Sequence, residues 1–68
     1  MSKSLRGVVR WYHALKRIGF LVTDDDNKEI FLHADDCEGF VPEIGMAVEF
    51  QFGTDVKGRS KAMRIKQM

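Results

Sequence analysis

The residues best equipped to act on a ligand are rings set among cations. Trp11, Tyr12, Phe20, Phe31 and His33 are interleaved with Arg10, Lys16 and Arg17. Aromatic faces accept stacked nucleobases while guanidinium and ammonium groups track phosphates, so this mixture on a sheet points to single-stranded nucleic acid. Other chemistry has little support. One cysteine, Cys37, and two histidines cannot supply the four ligands of a structural zinc site. The acids that follow His33, namely Asp35, Asp36 and Glu38, lack the spacing of a calcium loop, so no metal is expected. No Gly-x-Ser-x-Gly, phosphate loop or dinucleotide fingerprint occurs, and nothing argues for an activated thiol at Cys37. Neither an enzyme nor a cofactor is expected. His13 reads as an ordinary polar residue before a loop.

The elements that must hold these rings are short strands. The first is expected over about Leu5–His13, with Val8, Val9, Trp11 and Tyr12, and the second over about Arg17–Thr23. Asp24 to Asn27 is a turn, because Asp and Asn side chains bond nearby backbone and tolerate left-handed geometry. A third strand is expected at Glu29–His33, completing a meander. Residues 34–45 read as loop, with one short helical turn at Ala34–Cys37. Alternation resumes over Met46–Phe52, where Met46, Val48, Phe50 and Phe52 share a face. Gly53–Arg59 reads as a hairpin loop, and Lys61–Gln67 as a last strand with alternating basic residues. Five short strands in so small a chain favour a closed barrel, which removes exposed edges.

Period-two alternation sorts the side chains of the second and third strands, and Val9 and Trp11 of the first are assigned to opposite faces beside them. Val9, Leu21, Ile30 and Leu32 form a core, while Trp11, Ile18, Phe20, Phe31 and His33 face outward. A small protein has little reason to expose such rings together unless something stacks on them. The alternative is a sandwich burying both faces, which 68 residues do not easily cover.

Size and charge set the remaining bounds. The chain is expected to be one domain spanning residues 1–68, and its 44% hydrophobic content argues against disorder. A lone cysteine excludes an intrachain disulfide. The longest apolar run, Ile18–Val22, is far short of a membrane helix, and the first residues do not resemble a signal peptide. A cytoplasmic location is expected. The formal net charge of +1 hides a segregation: residues 1–23 carry no acid, residues 24–55 carry all ten acids and only Lys28, and residues 56–68 again carry none. If the outer thirds fold side by side, the domain has a basic and an acidic face.

Gly7-Val8-Val9-Arg10-Trp11-Tyr12, then Lys16-Arg17-Ile18-Gly19-Phe20-Leu21, resembles the opening of a cold-shock domain with its first ribonucleoprotein-type motif. Ile30-Phe31-Leu32-His33 resembles the second motif, and the likeness continues through Glu38-Gly39-Phe40 and Gly45–Phe50. The resemblance implies an all-β, five-stranded antiparallel OB-type barrel that binds single-stranded DNA and RNA. Family members act as RNA chaperones or as transcription and translation regulators. By match to the motifs, Trp11, Phe20, Phe31, His33 and Phe40 take stacking positions, Tyr12 is a conservative match, and Arg10 and Lys16 are basic positions beside them.

Two departures stand out. Arg17 and Ile18 replace the usual glycine and first aromatic of the first motif, and Ala34 replaces the aromatic after the second motif's histidine. Two rings are missing, at about 1–3 kcal/mol of stacking each. Ile18 retains apolar contact, and Arg17 can stack or bind phosphate. With Lys57, Arg59 and Lys61 as further phosphate cations, the expectation is a monomer with weakened or retuned binding. The alternative is a degenerate barrel that serves a protein partner or a second copy of itself.

Overall fold

A computed structural model describes residues 4–25 and 27–68 of the chain. Five strands follow one another: β1 (Ser4–His13), β2 (Ile18–Thr23), β3 (Glu29–His33), β4 (Ala47–Thr54) and β5 (Ser60–Gln67), with a short 3-10 turn at Ala34–Asp36 after β3. They close into a barrel in the order β1-β2-β3-β5-β4, with β4 returning to β1. Neighbours are antiparallel except β3 and β5, which meet in parallel at Phe31 and Lys61. The expected barrel and its five strands are present, their ends displaced by a residue or two.

The barrel closes around eight buried side chains: Val9, Leu21, Ile30, Leu32, Val48, Phe50, Ala62 and Ile65. The four core residues expected of the meander are among them, so a sheet buried on both faces is not what forms. In β2 every second residue is buried, so Gly19 and Leu21 point inward and Ile18 and Phe20 outward.

β1 breaks that rule once, and the break places the site. Val9 pairs with Leu21 and Trp11 with Phe20, so Arg10 is an extra residue in β1. Strict alternation would put Val9 and Trp11 on the same face; the bulge at Arg10 lets Val9 stay in the core while Trp11 turns outward. β5 makes a similar adjustment. Arg64 adopts a left-handed φ of 50°, and Ala62 and Ile65, three residues apart, are both buried. The simple alternation expected for Lys61–Gln67 therefore does not hold. In β4 the face shared by Val48, Phe50 and Phe52 runs past the end of the core, leaving Phe52 52% exposed.

The turn expected after β2 forms as a side-chain and backbone knot. Asn27 takes a left-handed φ of 54°, and the Lys28 amide donates to Thr23 Oγ1 at 3.1 Å. Asp26, expected in the same turn, lies outside the described residues.

Candidate nucleic-acid interface

Register builds the outward face as two parallel rungs. Trp11 pairs with Phe20, Phe20 with Phe31 and Phe31 with Lys61, giving a row across β1, β2, β3 and β5. The adjacent row is His13, Ile18 and His33. Rings in directly paired positions of neighbouring strands lie within contact reach, which is how sequence-distant aromatics become one surface. Trp11 and Phe20 lie stacked, with centroids 6.2 Å apart and planes 24° from parallel.

Above this face lies an open groove of about 420 Å³, lined by the apolar side chains of Trp11, Ile18, Phe20 and Phe31 together with Glu29, Arg59 and Ser60. Trp11 is 41% and Phe31 36% exposed, so the rings are available to a ligand. Ile18, at the position where an aromatic was expected to be missing, contributes an aliphatic patch to the same groove.

Not every expected stacking residue joins it. Tyr12 and Phe40 are partly buried and pack against the core. For Tyr12 the cause is the register: it pairs with Gly19, whose side of the sheet is interior, while Trp11 beside it faces out.

The cations are less free than the sequence suggests. Arg17 Nη2 bonds Asp35 Oδ1 at 2.9 Å, Lys61 Nζ bonds Asp36 Oδ2 at 2.9 Å, and Arg59 Nε bonds Asp55 Oδ2 at 3.0 Å. Acids of the middle third therefore lie among these cations. β1 and β5 do not pair, and the turn after β3 brings acids of the middle third between cations of the other two. Asp55 also accepts the Lys57 and Arg59 amides at 2.9 Å, ordering the β4–β5 loop. Those bonds, led by the Arg59 amide, hold its carboxyl below the usual carboxylate range. Arg10 and Lys16 are exposed, and no described ion pair engages them.

Both histidines of the second rung are held through Nδ1. His33 Nδ1 accepts the Asp35 amide at 3.0 Å, capping the 3-10 turn, and His13 Nδ1 accepts the Lys16 amide at 3.3 Å. An Nδ1 that accepts a bond carries no proton, so each neutral ring has its donor at Nε2. His13, which reads from the sequence as an ordinary polar residue before a loop, is brought beside the ring row. Its ring centroid lies 6.1 Å from that of Trp11, tilted by 56°. The available signal was its spacing, two residues beyond Trp11 on the same strand. Among the described residues no group of three or more His, Cys, Asp or Glu is placed to hold a metal ion. No helix among them is long and apolar enough to cross a membrane.

Comparison with known proteins agrees with this geometry. Residues 5–68 match the profile of the 'Cold-shock' DNA-binding domain. The chain is 39% identical over 66 residues to a cold shock-like protein of Aquifex aeolicus, covering 91% of this chain and 94% of that one. It is 37% identical over 65 residues to the cold shock-like protein CspE of Escherichia coli, covering 91% and 93%. Among solved structures, the drosophila Unr CSD456 superposes with a TM-score of 0.82 at 23% identity. That match covers 98% of this chain and 27% of the other, and it speaks to the fold alone.

Proposed function

The chain belongs to the cold-shock domain family, and from that premise we propose that it binds single-stranded DNA and RNA by stacking bases on the Trp11–Phe20–Phe31 row. The family is one of nucleic-acid-binding proteins and not of enzymes. The observation that carries the reading is the row itself: three rings from three strands, two of them well exposed, form the floor of one open groove. His33 extends the floor on the neighbouring rung. Arg10 and Lys16 supply phosphate contacts directly; Arg17, Arg59 and Lys61 do so by exchanging an acid partner for a phosphate, and Lys57 adds charge at the β4–β5 loop.

Binding of this kind is sequence-tolerant, because every base has a face to stack. It is weaker than a full platform gives, since the rings absent at Ile18 and Ala34 remove up to about 2–6 kcal/mol of stacking. Tyr12 and Phe40 support the sheet from the core side. The cellular role that fits is that of a cytoplasmic, monomeric RNA chaperone or regulator of transcription or translation.

The test uses Trp11, the single tryptophan. Its fluorescence is titrated with a short single-stranded pyrimidine oligonucleotide at two salt concentrations, with a duplex as control. Saturable quenching by the single strand, weaker at high salt and absent for the duplex, is expected. A flat titration, with gel filtration showing a dimer that ignores the oligonucleotide, replaces this reading with a protein-binding barrel. That second reading draws on the ion pairs that already occupy Arg17, Arg59 and Lys61.

A further inference from the structure

Ile18 leaves an aliphatic gap on a surface otherwise made of rings. What stands beside the gap is not solvent but two imidazoles, because His13 and His33 are the residues paired with Ile18 on either side. His13 is partly buried, its ring set against Trp11 and its Nδ1 held by the Lys16 amide, so its orientation is fixed before any ligand arrives. The Arg17 amide also donates to the His13 carbonyl at 2.8 Å, so the β2 end of the β1–β2 turn is fastened twice to this residue.

We propose that His13 is a base-contacting residue of the nucleic-acid face, extending the ring surface from Trp11 along β1 and taking over part of the stacking absent at Ile18. The proposal rests on the reading of the groove as a nucleic-acid site. Neighbouring strands in a sheet lie about 4.8 Å apart, so His13 and His33 stand roughly 10 Å from each other with Ile18 between them. A base laid on Ile18 has apolar contact beneath it and an imidazole at each side. Each imidazole offers an Nε2–H donor to the base edge, its other nitrogen being occupied by a backbone amide. A ring already held in place loses little freedom on binding, which favours its contribution over that of a mobile side chain.

Three variants separate the roles of ring, donor and turn. His13→Ala removes all of them. His13→Phe keeps a ring and loses the acceptor for the Lys16 amide. His13→Asn keeps an acceptor near that amide and loses the ring. Each is titrated against a labelled single-stranded pyrimidine oligonucleotide by anisotropy, alongside the wild type and Trp11→Ala, with a thermal melt to confirm folding. His13→Ala and His13→Asn are expected to weaken binding about five- to tenfold, the low end for one stacked base, while His13→Phe stays within about twofold of wild type. If His13→Asn matches wild type and His13→Phe does not, the residue acts through the turn and the proposal fails. If all three match wild type while Trp11→Ala weakens binding, His13 lies outside the interface although the site stands. A wild type that binds no oligonucleotide overturns the functional reading itself, and His13 with it.

Discussion

Arg17 and Asp35 are joined by a 2.9 Å ion pair beside the His13–Ile18–His33 rung, and Asp36, the next residue, holds Lys61 at the same distance. One three-residue turn therefore neutralises cations from two separate parts of the chain. A phosphate approaching either cation meets a carboxylate already in place, and must displace it or accept its repulsion. Replacing both acids, Asp35→Asn with Asp36→Asn, removes the competitor but keeps the Asp35 amide that caps on His33. Tighter binding is expected, with a log–log salt dependence steeper by about 0.7 for each cation released to a phosphate. Unchanged affinity and slope in a salt titration of the double variant would show that Arg17 and Lys61 do not contact the backbone.

The outer and inner rings of the barrel should respond oppositely to truncation. Phe31 is exposed on the groove floor, whereas Phe50 is 1% exposed at the centre of the core. Phe31→Ala is expected to lose about 1–3 kcal/mol of binding and to stay folded. Phe50→Ala leaves a cavity worth about 3–5 kcal/mol, comparable to the whole stability of a small domain, and is expected to be largely unfolded. Thermal melts with oligonucleotide titrations check both. Unfolding of Phe31→Ala would reassign that ring to the core.

Much of this arrangement is legible along the chain because a strand's period of two needs no partner. The alternation in β2 and β3 is enough to separate Leu21, Ile30 and Leu32 from Ile18, Phe20 and Phe31. A bulge is different, since it is a property of two strands in register. Nothing in Val9-Arg10-Trp11 announces that Arg10 is the extra residue, so the exposure of Trp11 beside a buried Val9 becomes intelligible only against Leu21 and Phe20. The inward lean of Tyr12 follows from the same shift. Ion pairs across the closure, such as Lys61 with Asp36, depend on the parallel meeting of β3 and β5, which has no local signature. His13 was readable by spacing from Trp11, but a histidine at a strand end is so ordinary that only the ring contact distinguishes it.

Cys37 should be a quiet thiol. It is partly buried against the core, with its Sγ 3.9 Å from the His33 carbonyl oxygen. Burial, with the Asp36 charge adding to it, pushes the thiol up from 9.0 to about 11. At pH 8 the folded protein then holds about a hundredfold less thiolate than an unfolded chain, and alkylation should be slower by a similar factor. The sign for stability follows from a raised acid: the folded state keeps its proton where the unfolded chain has lost it. This contribution is whole below about pH 9 and is lost between pH 9 and 11 as the unfolded thiol ionises first. Cys37→Ser should abolish that part of the alkaline decline. Wild-type alkylation as fast as that of a denatured control would contradict the placement of the thiol.

Gly19 is where the fold and the site depend on the same missing atom. It sits inward on β2 opposite Tyr12, just beyond the bulge that turns Trp11 outward. A Cβ there would collide with the Trp11 carbonyl oxygen and come within 2.9 Å of Tyr12 Cα, and both are backbone atoms of the neighbouring strand. No rotamer change relieves such a contact, so β1 and β2 must move apart. The flanking residues, Ile18 and Phe20, are the β2 members of the two rungs, so that movement opens the Trp11–Phe20 stack as well. Gly53 provides the control, because its Cβ would meet only the side chain of Met63, which is flexible and 38% exposed. Gly19→Ala is expected to destabilise by about 1–3 kcal/mol, lowering Tm by roughly 4–8 °C for each kcal/mol, and to weaken oligonucleotide binding at temperatures where the variant is still folded. Gly53→Ala should cost under about 1 kcal/mol and leave affinity within about twofold, as expected for a change that moves one exposed side chain. Paired melting and binding curves decide it: a Gly19→Ala protein as stable as wild type would mean that the close approach of β1 to β2 is not what holds the two rungs in register.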